Sequence, residues 1–95
     1  MAAYMIARVR VTDSDQYKRY AAATPAVIAE FGGKFIARGG ETVTLEGLEE
    51  DRRVVIVEFP SLDKAKEFYT SAEYQRTRAL REGAADVEIV AIEGV

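Results

Sequence analysis

The sequence contains no cysteine and no histidine among its 95 residues. Without cysteine the chain can form no disulfide, no thiolate metal site and no cysteine nucleophile. Without histidine it lacks the commonest metal ligand, the commonest general base and the usual axial ligand of haem. We therefore predict no metal and no tightly bound cofactor, and haem degradation through a histidine-ligated iron is disfavoured.

Long apolar runs and a strong charge of either sign are also missing. No run approaches the roughly 18 residues that a membrane-spanning helix needs. The apolar start of the chain meets Arg8 and Arg10 almost at once, so it does not resemble a signal peptide. A net charge of −3 argues against nucleic-acid and anionic-membrane partners. We predict one cytoplasmic domain spanning residues 1–95.

The hydrophobic pattern alternates between period two, typical of strands, and helical spacing, in the order β-α-β-β-α-β. The predicted strands cover residues 4–11, 34–45, 53–59 and 87–92, and the predicted helices cover 14–31 and 61–82. For a chain this short, that order predicts a ferredoxin-like α+β fold, with a four-stranded antiparallel sheet and both helices on one face.

Glycine, proline and serine refine these predictions. Pro25 should kink or split the first helix near Thr24, and Gly32 should end it in the left-handed conformation. Ser61 and Ser71 suit helix N-caps, which predicts a break in the second helix at Ser71. Gly39 and Gly40 are interpreted as a bulge within one long bent strand that continues to residue 45, before a hairpin loop over residues 46–51.

The strand alternation assigns side chains to the two faces of the sheet. The set predicted to face the helices is Met5, Ala7, Val9, Phe35, Ala37, Val55, Val57 and Phe59. The set predicted on the opposite face is Ile6, Arg8, Ile36, Arg38, Val54, Ile56 and Glu58. This second face is too apolar to remain in water, and the simplest cover is a second copy of the sheet in a two-fold homodimer.

A set of short motifs spread along the chain resembles a known family. They are Thr24-Pro25, Phe31-Gly32-Gly33-Lys34-Phe35, Arg38-Gly39-Gly40, Leu45-Glu46-Gly47, Val57-Glu58-Phe59-Pro60-Ser61, Tyr69, Ser71, Glu73-Tyr74-Gln75 and Glu93-Gly94-Val95. Together they look like domain-of-unknown-function family 1330 of the dimeric α+β barrel superfamily. The resemblance implies two sheets packed face to face into a barrel, and no established reaction. Wider relatives include cofactor-free monooxygenases, lactone isomerases and haem-degrading enzymes. An activity inferred from these relatives would rest on analogy of fold alone.

The candidate site predicted from the residues is Glu58 with Arg38 and Arg8 on the barrel face. The bulge is expected to bring Arg38 opposite Glu58, and Arg8 is expected on a strand adjacent and parallel to that of Glu58. The arginines would bind a carboxylate or enolate, and Glu58 would act as general base. The alternative is a buried ion-pair cluster that fixes strand register and dimer alignment.

Two other groups are open to a functional or a structural interpretation. Gly39 and Gly40 could present backbone N–H groups to an anion, or could form a bend through which the strand crosses to the partner subunit. Five tyrosines could supply a hydroxyl to a ligand, although the helical spacing of most of them favours core packing. These tyrosines are Tyr4, Tyr17, Tyr20, Tyr69 and Tyr74.

Three function classes follow from these observations. The first is a homodimeric barrel that binds or converts a small anionic or carbonyl metabolite without a tightly bound cofactor. The second is a non-enzymatic structural or regulatory homodimer, which the lack of sharp catalytic motifs favours. RNA binding on the sheet ranks last, because that face offers aliphatic residues instead of aromatic ones and the chain is acidic.

Overall fold

The computed structural model describes all 95 residues as one sheet covered on one face by helices. The elements are β1 (Ala3–Val11), α1 (Ser14–Glu30), β2 (Lys34–Arg38), β3 (Arg53–Phe59), α2 (Leu62–Thr70), α3 (Ala72–Ala79) and β4 (Ala85–Glu93). The strand order is β2-β3-β1-β4, and every neighbouring pair is antiparallel. The predicted ferredoxin-like βαββαβ fold is confirmed. None of its helices combines the length and the apolar character needed to cross a bilayer.

The pairing of β1 with β3 corrects one prediction. The two strands run antiparallel, with Tyr4 opposite Glu58 and Arg8 opposite Val54. The prediction that they run parallel was wrong. The connection through α1 leaves β1 and β2 parallel, and β3, which returns from β2 and lies between them, is antiparallel to both. As a result Arg8 and Glu58 lie towards opposite ends of the β1–β3 ladder.

Side-chain caps set the beginnings of all three helices. Asp13, Ser61 and Ser71 accept hydrogen bonds from backbone N–H groups at 3.1 Å, which satisfies donors in the first turn of α1, α2 and α3. The predicted break at Ser71 is confirmed. Gly32 has φ +78° and follows the end of α1, as predicted.

Pro25 does not split α1, which runs unbroken from Ser14 to Glu30. Proline has no N–H, so the carbonyl of Ala21, four residues earlier, loses its helical partner. The Arg38 guanidinium replaces it: Nη2 donates to the Ala21 carbonyl oxygen at 2.8 Å. Of the two predicted outcomes, the split into two pieces was wrong, because a strand side chain satisfies the carbonyl that proline leaves free, whereas a kink stays a prediction.

The position of the β-bulge is the third correction. The register shift lies between Phe35 and Ala37, at Ile36, and β2 ends at Arg38. The predicted bulge at Gly39-Gly40 and the continuation of the strand to residue 45 were wrong. Gly39 has φ +70°, which turns the chain away from the sheet after its N–H donates to the Val54 carbonyl oxygen at 2.9 Å.

The bulge changes which face the end of β2 presents. A one-residue slip moves every later side chain to the other face of a sheet. Ala37 therefore pairs with Ile56, and Arg38 pairs with Val55, whose face looks towards the helices. Both residues lie on the face opposite to the one predicted from simple alternation.

The core lies between the helices and the inner face of the sheet. Four large side chains are completely buried there: Val57, Phe59, Phe68 and Tyr74. The rings of Phe68 and Tyr74 approach to 4.4 Å between centroids, and the Tyr20 and Tyr74 hydroxyls lie 2.8 Å apart. The opposite face, here called the outer face, has no cover, and Ile36, Val90 and Ile92 are at least half-exposed on it.

Candidate functional site

The structure does not bring the three charged residues of the predicted site together. Glu58 pairs with Lys34, its neighbour across the β2–β3 ladder, with Nζ to Oε1 at 3.2 Å. The Arg8 Nε donates to Glu50 Oε1 at 2.9 Å. Arg38 lies on the helix side of the sheet. The expected contact between Arg38 and Glu58 was wrong because of the bulge at Ile36, whereas a catalytic role for Glu58 stays a prediction.

The two glycines of the predicted site also differ from each other. A β-carbon at Gly39 would lie 2.6 Å from Cζ of Arg53, so the absence of a side chain makes room for that guanidinium. Nothing lies within 4 Å of the corresponding position at Gly40. Gly39 therefore leaves the space that the Arg53 side chain occupies. A direct role of the Gly39 or Gly40 backbone N–H in ligand binding stays a prediction.

A cavity of about 40 Å³ opens between α1 and the inner face of the sheet. This volume is sufficient for one to a few water molecules. The strands contribute Met5, Ala7, Val9, Phe35, Val55, Val57, Val87 and Ile89, and α1 contributes Tyr17, Tyr20, Ala21, Thr24 and Ile28. Arg38, Arg53 and Arg81 complete the lining. No carboxylate lines the cavity, so its fixed charge is positive.

Arg81 is the most unusual of these residues. Its side chain belongs to the turn between α3 and β4, is only 8% exposed, and lies with Cζ 5.1 Å from the Tyr20 ring centroid. Its buried Nε has no hydrogen-bond partner, and the same is true of Arg53. None of the three arginines of the cavity takes part in an ion pair.

The guanidinium of Arg81 keeps its charge in this environment. Burial acts to lower the pKa of Arg81, but the neighbouring Tyr74 and Tyr20 phenols outweigh it, so the pKa lies above its ordinary value. A buried cation without a carboxylate partner is costly unless other groups compensate it. The tyrosine rings and hydroxyls supply part of that compensation.

The phenols beside the arginines stay protonated. Burial raises the pKa of Tyr17 above its ordinary value, although Arg53 and Arg81 act to lower it. Burial also raises the pKa of Tyr74, and Tyr20 adds to the effect. Neutral tyrosines do not cancel the charge of the arginines, but their hydroxyls can donate hydrogen bonds.

This arrangement is suited to a small anion with an apolar body. Guanidinium groups present N–H donors that match a carboxylate, and aliphatic walls favour hydrocarbon over water. Ligand sites commonly combine an apolar lining with a few convergent polar groups in this way. The lining of the cavity contains no carboxylate and no lysine that could act as a general base. The geometry therefore supports ligand binding more directly than proton transfer.

The sequence contained a signal for the two arginines that the prediction missed. Arg53 shares its strand face with Val55 and Val57, at spacings of two and four residues. Arg81 lies seven residues after Tyr74, close to two helical turns along the same face. An arginine on an otherwise apolar, helix-facing side is the pattern that would have identified this site.

The comparisons with known proteins agree with the fold and leave the activity open. The family described as domain of unknown function DUF1330 matches residues 2–95. No curated protein matches the chain. Among solved structures, the chain is similar to RPA0582, a protein of unknown function from Rhodopseudomonas palustris, with 22% identity and a TM-score of 0.77, over 99% of this chain and 82% of that one.

Two further structures show the same fold at lower identity. A dimeric ferredoxin-like protein of unknown function from Jannaschia sp. CCS1 is 12% identical, with a TM-score of 0.76, over 99% of this chain and all of the other. SnoaB, a cofactor-independent oxygenase from Streptomyces nogalater, is 15% identical, with a TM-score of 0.70, over 99% and 93% of the two chains. At these identities the likeness concerns the fold alone.

Proposed function

The chain belongs to the DUF1330 family, and from that premise we propose that it is a homodimer that binds a small organic anion in the cavity between α1 and the sheet. The ligand we propose is a carboxylate or an enolate with a short apolar body. Arg81 and Arg53 would receive its charge, Tyr17 would donate a hydrogen bond, and the aliphatic strand residues would contact its hydrocarbon part. A cytoplasmic location stays a prediction from the sequence.

One observation carries the proposal: Arg81 is buried without an ion-pair partner, and its Nε faces no acceptor. Moving a charge out of water costs several kcal/mol of free energy even after the protein relaxes around it. A paired ion of opposite charge offsets a cost of about that size. Arg53 repeats the pattern beside it, with a buried Nε that lacks an acceptor. An anion placed between the two would supply the missing acceptor for both.

The homodimer rests on two separate observations. The outer face of the sheet carries exposed aliphatic side chains, which a second sheet would remove from water. Structurally similar proteins are described as dimeric, including the one from Jannaschia. The cavity lies on the other side of the sheet, so each subunit would hold its own ligand.

A thermal unfolding series tests the anion site. Sodium acetate and propanoate, each titrated to millimolar concentration, should raise the melting temperature, whereas acetamide and propanamide should not. Sodium chloride at equal ionic strength controls for screening. Saturation at about 100 times the dissociation constant adds about 2.7 kcal/mol to the free energy of unfolding, which corresponds to a shift of several degrees.

A matched pair of variants connects the shift to the cavity. Arg81→Gln should abolish the propanoate effect, because it removes the buried guanidinium that would receive the charge of the anion. Arg76→Gln, at an exposed position of α3, should behave as the unchanged protein. Equal shifts with acid and amide, or an undiminished propanoate effect in Arg81→Gln, would contradict the anion site.

A further inference from the structure

Apart from the two terminal residues, the most exposed large apolar side chains lie in the connection between β2 and β3. We call residues 40–49 the arm. Within it Val43 is 77% exposed, Leu45 90% and Leu48 98%. Isolated exposed aliphatic residues are ordinary on protein surfaces, but three within six positions of one short segment indicate a contact surface.

The backbone of the arm is unpaired as well. None of residues 40–49 takes part in a backbone–backbone hydrogen bond, and the last such bond before the arm is the one from the Gly39 N–H. The stretch Thr42-Val43-Thr44-Leu45 nevertheless has the composition of a strand. A β-favouring segment with free donors and acceptors is a template for pairing with a strand of another molecule.

The base of the arm is fixed at the outer face of its own sheet. The Glu50 N–H donates to Thr44 Oγ1 at 2.7 Å, and the Glu50 carboxylate accepts from Nε of Arg8 and Nε of Arg52 at 2.9 and 2.8 Å. Because side chains alternate along an extended segment, the inward position of Thr44 leaves Val43 and Leu45 on the opposite side. The arm is thus held in place while its apolar side contacts nothing in its own chain.

We infer that the arm packs on a second copy of this chain, an inference that rests on the proposed homodimer. Val43 and Leu45 contact the aliphatic outer face of the second copy, and the arm backbone pairs with its edge strand β4, where Val90 and Ile92 are more than half-exposed. In a two-fold dimer each copy contributes one arm and receives one.

The charges of the outer face support a second copy as the occupant. The carboxylates of Glu58, Glu50 and Glu88 are already paired with Lys34, Arg8 and Arg52 of the same chain. Such a face offers no excess positive charge for a nucleic acid or an anionic membrane. Its remaining surface is aliphatic and complements the uncharged apolar side of the arm.

The test compares two double variants of equal charge. Val43→Asp with Leu45→Asp places two carboxylates on the apolar side of the arm. Gly40→Asp with Thr42→Asp places them on its other side, where Gly40 has open space around it and no positive φ. Light scattering on a dilution series gives the dimer dissociation constant, and circular dichroism confirms that each variant is folded.

We expect the V43D/L45D protein to dissociate with a constant at least about 100-fold higher than that of the unchanged protein, since two buried aliphatic side chains are lost in each arm. The G40D/T42D protein should change it by less than about 5-fold, an effect of charge alone. Hydrogen exchange of residues 42–45 should be protected in the unchanged dimer and lost on dilution or in V43D/L45D.

Four outcomes would overturn the inference. A V43D/L45D dimer as tight as the unchanged one, or unprotected amides at residues 42–45 in an intact dimer, would show that the arm is not in the interface while leaving the homodimer in place. Equal weakening by both variants would assign the effect to charge instead of the apolar side. A monomeric unchanged protein would remove the homodimer itself, and the propanoate measurement would still report on the cavity.

Discussion

At the scale of single residues, the three arginines of the cavity are held in different ways. Arg38 donates to the Ala21 carbonyl and lies 4.3 Å from the Phe35 ring centroid. Arg53 lies against Gly39, and Arg81 lies over the ring of Tyr20. Only Arg53 and Arg81 have a buried Nε without an acceptor, so Arg38 is a structural residue and the other two are available to a ligand.

The contact between Gly39 and Arg53 predicts that Gly39→Ala destabilises the protein. A left-handed backbone costs an alanine about 1–2 kcal/mol, and the new methyl group would also displace the Arg53 guanidinium. We expect a loss of about 2 kcal/mol in the free energy of unfolding in urea, together with weaker propanoate binding. Gly40→Ala is the control, with a change within about 0.5 kcal/mol. Equal stability of the two variants would refute the role given to Gly39.

At the scale of elements, α1 and β2 depend on each other through one hydrogen bond. Pro25 frees the Ala21 carbonyl, and Arg38 of β2 satisfies it. The bulge at Ile36 is what turns Arg38 towards the helix. The bulge in β2 therefore helps to keep α1 unbroken at Pro25.

This dependence predicts a coupling between Pro25 and Arg38. In Pro25→Ala the new N–H can bond the Ala21 carbonyl, so Arg38→Ala should cost about 1 kcal/mol less there than in the unchanged protein. Urea unfolding of the four proteins of the cycle measures this difference. Arg19→Ala, at an exposed position of α1, is the control and should be additive within about 0.5 kcal/mol in both backgrounds. Additivity for Arg38 as well would show that it does not act through the freed carbonyl.

The elements also show what the sequence could and could not predict. The βαββαβ order of elements along the chain, the caps at Ser61 and Ser71, and the end of α1 at Gly32 follow from local patterns, and all were predicted correctly. The bulge was misplaced, because residues 34–38 alternate in the same way with or without it. Its position is set by long-range pairing with β3, and the face of Arg38, hence the predicted site, depended on that one residue of register.

At the scale of the whole molecule, the two faces of the sheet separate two kinds of chemistry. The inner face and α1 enclose a positively charged cavity without carboxylates, although the chain as a whole has a net charge of −3. On the outer face, Glu50, Glu58 and Glu88 form ion pairs around aliphatic residues. In the proposed function the ligand binds on the inner side and the subunits contact each other on the outer side, so the loss of either property should leave the other measurable.

The protonated phenols of the core predict how the stability of the whole protein depends on alkaline pH. Burial raises the pKa of both Tyr74 and Tyr17 in the folded state. A group with a raised folded pKa contributes stability that is complete below its unfolded pKa, about 10 for tyrosine, and is lost as the pH rises towards the folded value. The free energy of unfolding in urea should therefore be insensitive to these groups up to about pH 9 and should fall above about pH 10.

Tyrosine variants isolate the contribution of the buried phenols from every other effect of alkaline pH on stability. Removing a hydroxyl whose folded pKa is raised should make the decline shallower, by up to about 1.4 kcal/mol per pH unit for Tyr74→Phe. Tyr17→Phe, which removes the second hydroxyl with a raised folded pKa, should also make the decline shallower. An identical slope in Tyr74→Phe and the unchanged protein would mean that Tyr74 titrates alike in the folded and unfolded chains. In that case the hydrogen bond between the Tyr74 and Tyr20 hydroxyls would not favour the protonated form of Tyr74 in the folded protein.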